Sequence, residues 1–194
     1  SSTLIAVFTI LFVFATALVI TNLPHIINIS WFNLFLDYMI FKFMKSIENN
    51  FDNPKVNTLL RYHFYQLRSN SPEGSTHVLD IEGLKVPSIK FWSIWDNEKL
   101  IGCGALKFLE KGHGEFKSIR ISDEFRNMGC GIKLLNHLIL EAKKNGISKI
   151  SLETGAGDFF KSARKLFEKA GFKTCDPFAH YKVDPNSCYY SKKI

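Results

Sequence analysis

The chain opens on a long apolar run and only later settles into the alternating and helically spaced patterns of a folded domain. From Leu4 to Ile20 the only polar side chains are Thr9 and Thr16. With Thr21 to Leu23 the run approaches the roughly 20 residues that cross a bilayer as a helix. A second apolar stretch, Ile26 to Phe43, follows Pro24 but is broken by Asn28, Ser30, Asn33 and Asp37, which suits an interfacial helix. The pattern changes near Met44. After Asn53-Pro54, a capping side chain followed by a first-turn proline, Val56, Leu59, Leu60, Phe64 and Leu67 recur at helical spacing and predict a helix to about Arg68.

Beyond a turn-rich loop, Ser69 to His77, the periodicity shifts to strands. Phe91 to Trp95, the turn Asp96-Asn97-Glu98 and Leu100 to Leu106 predict an antiparallel hairpin. A turn over Lys111 to Gly114 leads to a third strand, Glu115 to Ile121. Simple alternation puts Glu115, Lys117, Ile119 and Ile121 on one face and Phe116, Ser118 and Arg120 on the other. Leu134, Leu135, Leu138, Ile139 and Ala142 then mark one face of a clear amphipathic helix, stopped by Asn145-Gly146. Ile147 to Glu153 reads as a strand. Asp158 is placed to cap a helix carrying Phe159, Ala163, Leu166 and Ala170 as far as Gly171. Short strands fit Phe172 to Thr174 and Cys188 to Ser191.

Composition narrows the chemistry. The net charge is +7, and residues 42–194 hold all 25 Lys and Arg against 17 of the 18 Asp and Glu, because Asp37 alone is charged before Lys42. No arginine-rich run, zinc-finger spacing or aromatic RNA-binding signature accompanies this charge, so nucleic acid is not the expected partner. Cys103, Cys130, Cys175 and Cys188 lie far apart, with no pairing that suggests a metal or a disulfide framework, and reduced thiols point to the cytoplasm. Residues 1–43 read as a membrane anchor or as non-native upstream sequence, with Ser1-Ser2 at the start and Met39 and Met44 further on. Lys42 and Lys45 would keep residues 44–194 on the cytoplasmic side, tethered if the anchor is real.

The chemistry concentrates at Arg126-Asn127-Met128-Gly129-Cys130-Gly131, between the third strand and the amphipathic helix. Glycines there let backbone N–H groups converge on an anion at a positive helix end, and Arg126 adds a forked cation. A plain tight connection uses the same residues. His63 and His77 read as surface or capping histidines, or as substrate contacts.

The order helix, hairpin, strand, Arg-x-x-Gly-x-Gly, helix, strand, helix, Gly-Phe and terminal strands resembles the GNAT N-acyltransferase superfamily over roughly residues 44–194. Ile119-Arg120-Ile121 before Arg126, Gly129 and Gly131, and the helix Ala163 to Phe172, carry the likeness. The wording Gly114 to Arg120, Leu152-Glu153-Thr154-Gly155 and Asp176-Pro177-Phe178 is similar to a branch of small bacterial GNAT acetyltransferases. The resemblance implies an α/β (α+β) fold with a mixed, mostly antiparallel sheet flanked by helices. It also implies acetyl-CoA as co-substrate and acetyl transfer to a small-molecule amine or exposed amino group in a ternary complex; the alternative is a non-catalytic acyl-CoA-binding module.

The cofactor residues implied are Ile119, Arg120, Ile121, Arg126, Asn127, Met128, Gly129, Cys130, Gly131, Ile132 and Lys133. The pyrophosphate would lie on the amides from Asn127 to Lys133, and the pantetheine arm on the main chain of Ile119 and Ile121, where two parallel strands splay. Glu115 is the first choice of base and Glu153 the second, and a backbone N–H near Ile119 is the oxyanion donor. Phe167 stands where the family places its acidic tyrosine, which leaves water, Tyr181 or Tyr189, or unassisted release of the thiolate. Acceptor specificity is expected from residues 69–77 and 175–187. Membrane contact through residues 3–43 and a homodimer remain open.

Overall fold

A computed structural model describes residues 44–194 except 76 and 111. The readings of residues 1–43 as an anchor, an interfacial segment or upstream sequence lie outside the described residues. Among those described, no helix is long and apolar enough to cross a membrane.

Strands β1 (Met44–Glu48), β2 (Ile89–Asp96), β3 (Lys99–Phe108), β4 (His113–Ile121), β5 (Lys149–Gly155), β6 (Lys173–Thr174) and β7 (Ser187–Lys193) form a 7-stranded sheet in the order β1-β2-β3-β4-β5-β7-β6. Every neighbouring pair is antiparallel except β4 and β5. Helices α1 (Pro54–Asn70) and α2 (Ile81–Leu84) precede the hairpin, and α3 (Cys130–Lys144) and α4 (Lys161–Lys169) flank β5 in the chain. The mixed sheet with flanking helices is the expected architecture.

The predicted helices form for the reasons their sequences suggest. Asn53 Oδ1 accepts the Lys55 N–H at 2.9 Å and Pro54 opens α1. α3 buries Leu134, Leu135, Leu138, Ile139 and Ala142 on one face. It ends where Gly146, at φ 75, lets its own N–H reach Lys143 O and the Ile147 N–H reach Ala142 O. Ile147 is therefore spent on the helix stop, and β5 starts at Lys149 rather than at Ile147. α4 closes in the same way: Gly171 turns at φ 83, the Phe172 N–H bonds Phe167 O, and the two rings meet at 6.3 Å.

Other expectations shift. Asp158 does not cap α4: it sits in a 3-10 turn, Asp158–Phe160, and the residue capping α4 is Phe160, with no side-chain hydrogen bond. His113 and Gly114 belong to β4, not to the preceding turn. β1 and α2 have no counterpart in the sequence reading, since one is a short strand of mixed polarity at the sheet edge and the other has four residues.

The largest correction is in β4. Cys103 pairs with Arg120 while Ala105 pairs with Lys117, so β4 spends one more residue than β3 across this interval. Ser118, at φ 52, lies inside this β-bulge. Alternation resets there, which puts Glu115, Lys117 and Arg120 on one face with Cys103 and Ala105, and Phe116, Ile119 and Ile121 on the other. Packing agrees with this. Cys103 and Ala105 join the core under α1 and α2, with Val56, Leu60 and Leu84. Phe116, Ile119 and Ile121 pack with Leu134, Leu135 and Leu138 of α3.

Candidate active site

The parallel pairing of β4 with β5 covers only His113 with Lys149, Gly114 with Ile150 and Glu115 with Ser151. Past Glu115 the two strands part, as expected, while β5 stays paired with β7 along its other edge from Lys149 to Gly155. A cleft of about 420 Å³ opens at this fork. One end is walled by Arg126, Asn127, Gly129, Gly131 and Ile132, and the other by His63, His77, Lys117 and Glu153; Arg120 lies between, sharing Asp123 Oδ1 with Arg126.

The first end has the backbone of an anion cradle. Asn127 (φ 61) and Gly129 (φ 77) are both left-handed, which turns the chain sharply into α3. The first turn of α3 contains no acidic residue, and no side chain caps it at Gly129, so its N–H groups are available to an anion. Arg126 stands half-exposed beside Asp123 at 3.7 Å. Gly131 serves a different purpose: an added Cβ would lie 2.9 Å from Leu166, so glycine here lets α3 and α4 approach. Cys130 is buried in the core, where burial raises its thiol pKa. Met128 points out to solvent. Met128, Cys130 and Lys133 do not line the cleft, so any part they play is through the backbone.

At the other end the two carboxylates sit in different settings. Glu115, the first choice from sequence, is fully buried and does not line the cleft. Its Oε1 accepts from Lys117 Nζ at 2.9 Å and from the Tyr181 hydroxyl at 2.5 Å, and Lys117 also donates to the Tyr181 oxygen at 2.9 Å. Tyr181 is likewise outside the cleft lining. Burial, reinforced by the Glu115 charge, holds its phenol well above the ordinary range. Its geometry is that of a clamp on the Glu115 and Lys117 pair. The Tyr189 hydroxyl is spent on Lys182 O at 2.8 Å.

Glu153 does face the cleft. The Ser187 hydroxyl donates to its Oε1 at 2.7 Å. Burial raises its pKa, against smaller lowering effects from that hydrogen bond and from nearby His77 and Lys117. A carboxylate of this kind is suited to proton transfer.

His63 is neither a surface nor a capping residue. It is buried on α1, lines the cleft, and its Nδ1 has no hydrogen-bond partner among the described residues. Burial, and then the Arg120 charge, hold its pKa down to about 4. The unfolded histidine titrates near 6.5. Between these two values the unfolded chain binds more protons than the folded one, so this contribution to stability is complete above pH 6.5 and is lost as pH falls toward 4. The loss should be on the order of 3 kcal/mol. Urea titrations at about pH 7 and about pH 4.5 should show a smaller acid loss in His63→Gln than in the wild type; equal losses would remove His63 from the account.

Of the two segments expected to set acceptor specificity, residues 69–77 reach the cleft through Ser71, Ser75 and His77. Residues 175–187 do not line it. They act from behind, with the Tyr181 ring meeting His77 edge-on at 5.0 Å and Ser187 bonded to Glu153. Sequence reasoning missed Lys117 and the buried setting of His63; the bulge that turns Lys117 and Arg120 toward α1 carries no signal in an alternating strand.

The acetyltransferase (GNAT) family model matches residues 55–172. Over 140 residues the chain is 45% identical to the uncharacterized N-acetyltransferase YsnE of Bacillus subtilis, covering 72% of this chain and 93% of that protein. It is 39% identical over 139 residues to the uncharacterized N-acetyltransferase YedL of Escherichia coli, covering 72% and 87%. Among solved structures, a Bacillus subtilis acetyltransferase in complex with CoA superposes with a TM-score of 0.58 at 17% identity, over 78% of this chain and 99% of that one.

Proposed function

The chain belongs to the GNAT acetyltransferase family, and from that premise we propose that residues 44–194 transfer acetyl from acetyl-CoA to a primary amine, on a small molecule or an exposed amino group, by direct transfer in a ternary complex. The observation that carries this reading is the fork between β4 and β5, with an uncapped helix N-terminus at one end and a cleft-facing carboxylate of raised pKa at the other.

The residues fit the co-substrate. The left-handed turn at Asn127 and Gly129 would present α3 amides, with Arg126, to the pyrophosphate. The main chain of Ile119 and Ile121, on the edge that β5 leaves unpaired, would bind the pantetheine arm. A solved relative of the same fold in complex with CoA supports this assignment. When bound, acetyl-CoA supplies an acetyl thioester.

Glu153 takes the proton of the attacking amine, directly or through water, as the N–C bond forms and the C–S bond breaks. A backbone N–H near Ile119 polarises the carbonyl. Phe167 lines the cleft but has no proton to give, and the hydroxyls of Tyr181 and Tyr189 are already engaged, so the thiolate leaves with a proton from water or leaves unassisted.

Free CoA release measured against a panel of amines tests the reading. Turnover with at least one amine is expected. Tight acetyl-CoA binding with no turnover on any acceptor would leave the non-catalytic binding module in its place.

A further inference from the structure

Two fixed cations line the cleft on the α1 face of β4. The Ser118 bulge brings Lys117 and Arg120 to the same face of β4, and both line the cleft with side chains only 9% and 10% exposed. Lys117 is held by Glu115 and Tyr181, which leaves one of its three N–H donors. Arg120 lies over the Tyr62 ring at 5.1 Å, on the α1 side of the sheet and opposite α3, whose N-terminus forms the anion cradle. One of its terminal nitrogens donates to Asp123 Oδ1 at 2.8 Å, the oxygen that Arg126 approaches at 3.7 Å. Its Nε, like His63 Nδ1 in the facing wall, has no partner among the described residues.

Buried polar groups are ordinarily paired. A planar guanidinium held in a wall, with donors still unspent, matches a carboxylate better than any neutral group does. Arg120 shares Asp123 with Arg126 and Lys117 is paired with Glu115, so what an incoming carboxylate would meet is their remaining donors, Arg120 Nε among them.

On the acetyl-transfer reading above, we propose that the acceptor carries a carboxylate beside its primary amine, as an amino acid does, and that Arg120, with Lys117 next to it, receives that carboxylate while the amine is turned toward Glu153. Arg120 is then a specificity residue for the acceptor and not a phosphate ligand.

The test compares CoA release for an α-amino acid, its carboxamide and its decarboxylated amine, in the wild type and in Arg120→Gln, with acetyl-CoA affinity measured calorimetrically in both proteins. The wild type should prefer the carboxylate, and Arg120→Gln should raise the KM for it by about 10- to 100-fold, the loss of a charged, forked hydrogen bond. Acetyl-CoA affinity should change far less than the acceptor KM, since Arg126 keeps its place beside Asp123. A wild type that uses the neutral analogues as well as the carboxylate would overturn the proposal while leaving acetyl transfer intact, and this comparison needs no variant. A parallel loss of acetyl-CoA affinity in Arg120→Gln would overturn it from the other side. Turnover with no amine at all would instead count against the acetyl-transfer reading.

Discussion

Replacing Glu153 by glutamine is expected to lower kcat by about 100- to 10,000-fold, the range that a positioned general base contributes. The amide has nearly the volume of the carboxylate and can still meet Ser187, so the fold and acetyl-CoA affinity should be kept. The pH profile gives the stricter check. A base must be deprotonated to act, so kcat/KM should rise with pH through the Glu153 pKa, and burial places that limb above the ordinary carboxylate range. Glu153→Gln should abolish the limb along with the rate. Glu115→Gln makes the opposite comparison. It leaves Lys117 without its buried counter-charge, so its effect should fall on stability. If Glu115→Gln removed the acidic limb and Glu153→Gln did not, the base would be the residue that sequence alone puts first.

Gly129→Glu should weaken acetyl-CoA binding by two orders of magnitude or more, roughly the penalty of a fixed negative charge against a bound anion at short range. Space is not the obstacle, since an added Cβ at Gly129 meets nothing within 4 Å. The conformation is left-handed, which costs a side chain about 1–2 kcal/mol. A carboxylate at the start of α3 returns part of that through the helix dipole. The variant should therefore stay folded, with a thermal midpoint close to the wild type, while calorimetry shows the lost affinity. Gly131→Glu is a poorer test, because its side chain would collide with Leu166 and disturb the packing of α3 on α4. Cys130→Ala removes a buried thiol and should lower stability without a comparable change in Kd. Equal Kd changes in Gly129→Glu and Cys130→Ala would mean that the cradle lies elsewhere.

These expectations rest on features of unequal visibility. The hairpin, α3 and the two glycine stops were legible because each has a local physical signature: two-residue periodicity around a tight turn, apolar positions one helical turn apart, and a left-handed residue after the last turn. The Arg126 to Gly131 turn was legible from its glycines and the helix that follows. The difference in setting between Glu115 and Glu153 was not. It depends on where β4 and β5 stop pairing, and on Lys117 and Tyr181 closing over Glu115 from 2 and 66 residues away. His63 looked like a surface histidine because one polar residue on an amphipathic helix gives no sign that the neighbouring sheet will cover it. Arg120 fell on the wrong face for a single reason, the extra residue at Ser118.

That residue has a consequence for engineering. Because it offsets the pleat by one position, each face of β4 changes parity at 118: Lys117 and Arg120 share the α1 face, while Phe116, Ile119 and Ile121 anchor the strand on α3. Substitutions at 117 and 120 should then leave the hydrophobic anchoring on α3 as it is. Charge along this strand is read correctly only with even and odd positions exchanged after 118, since strict alternation would mix two unrelated surfaces.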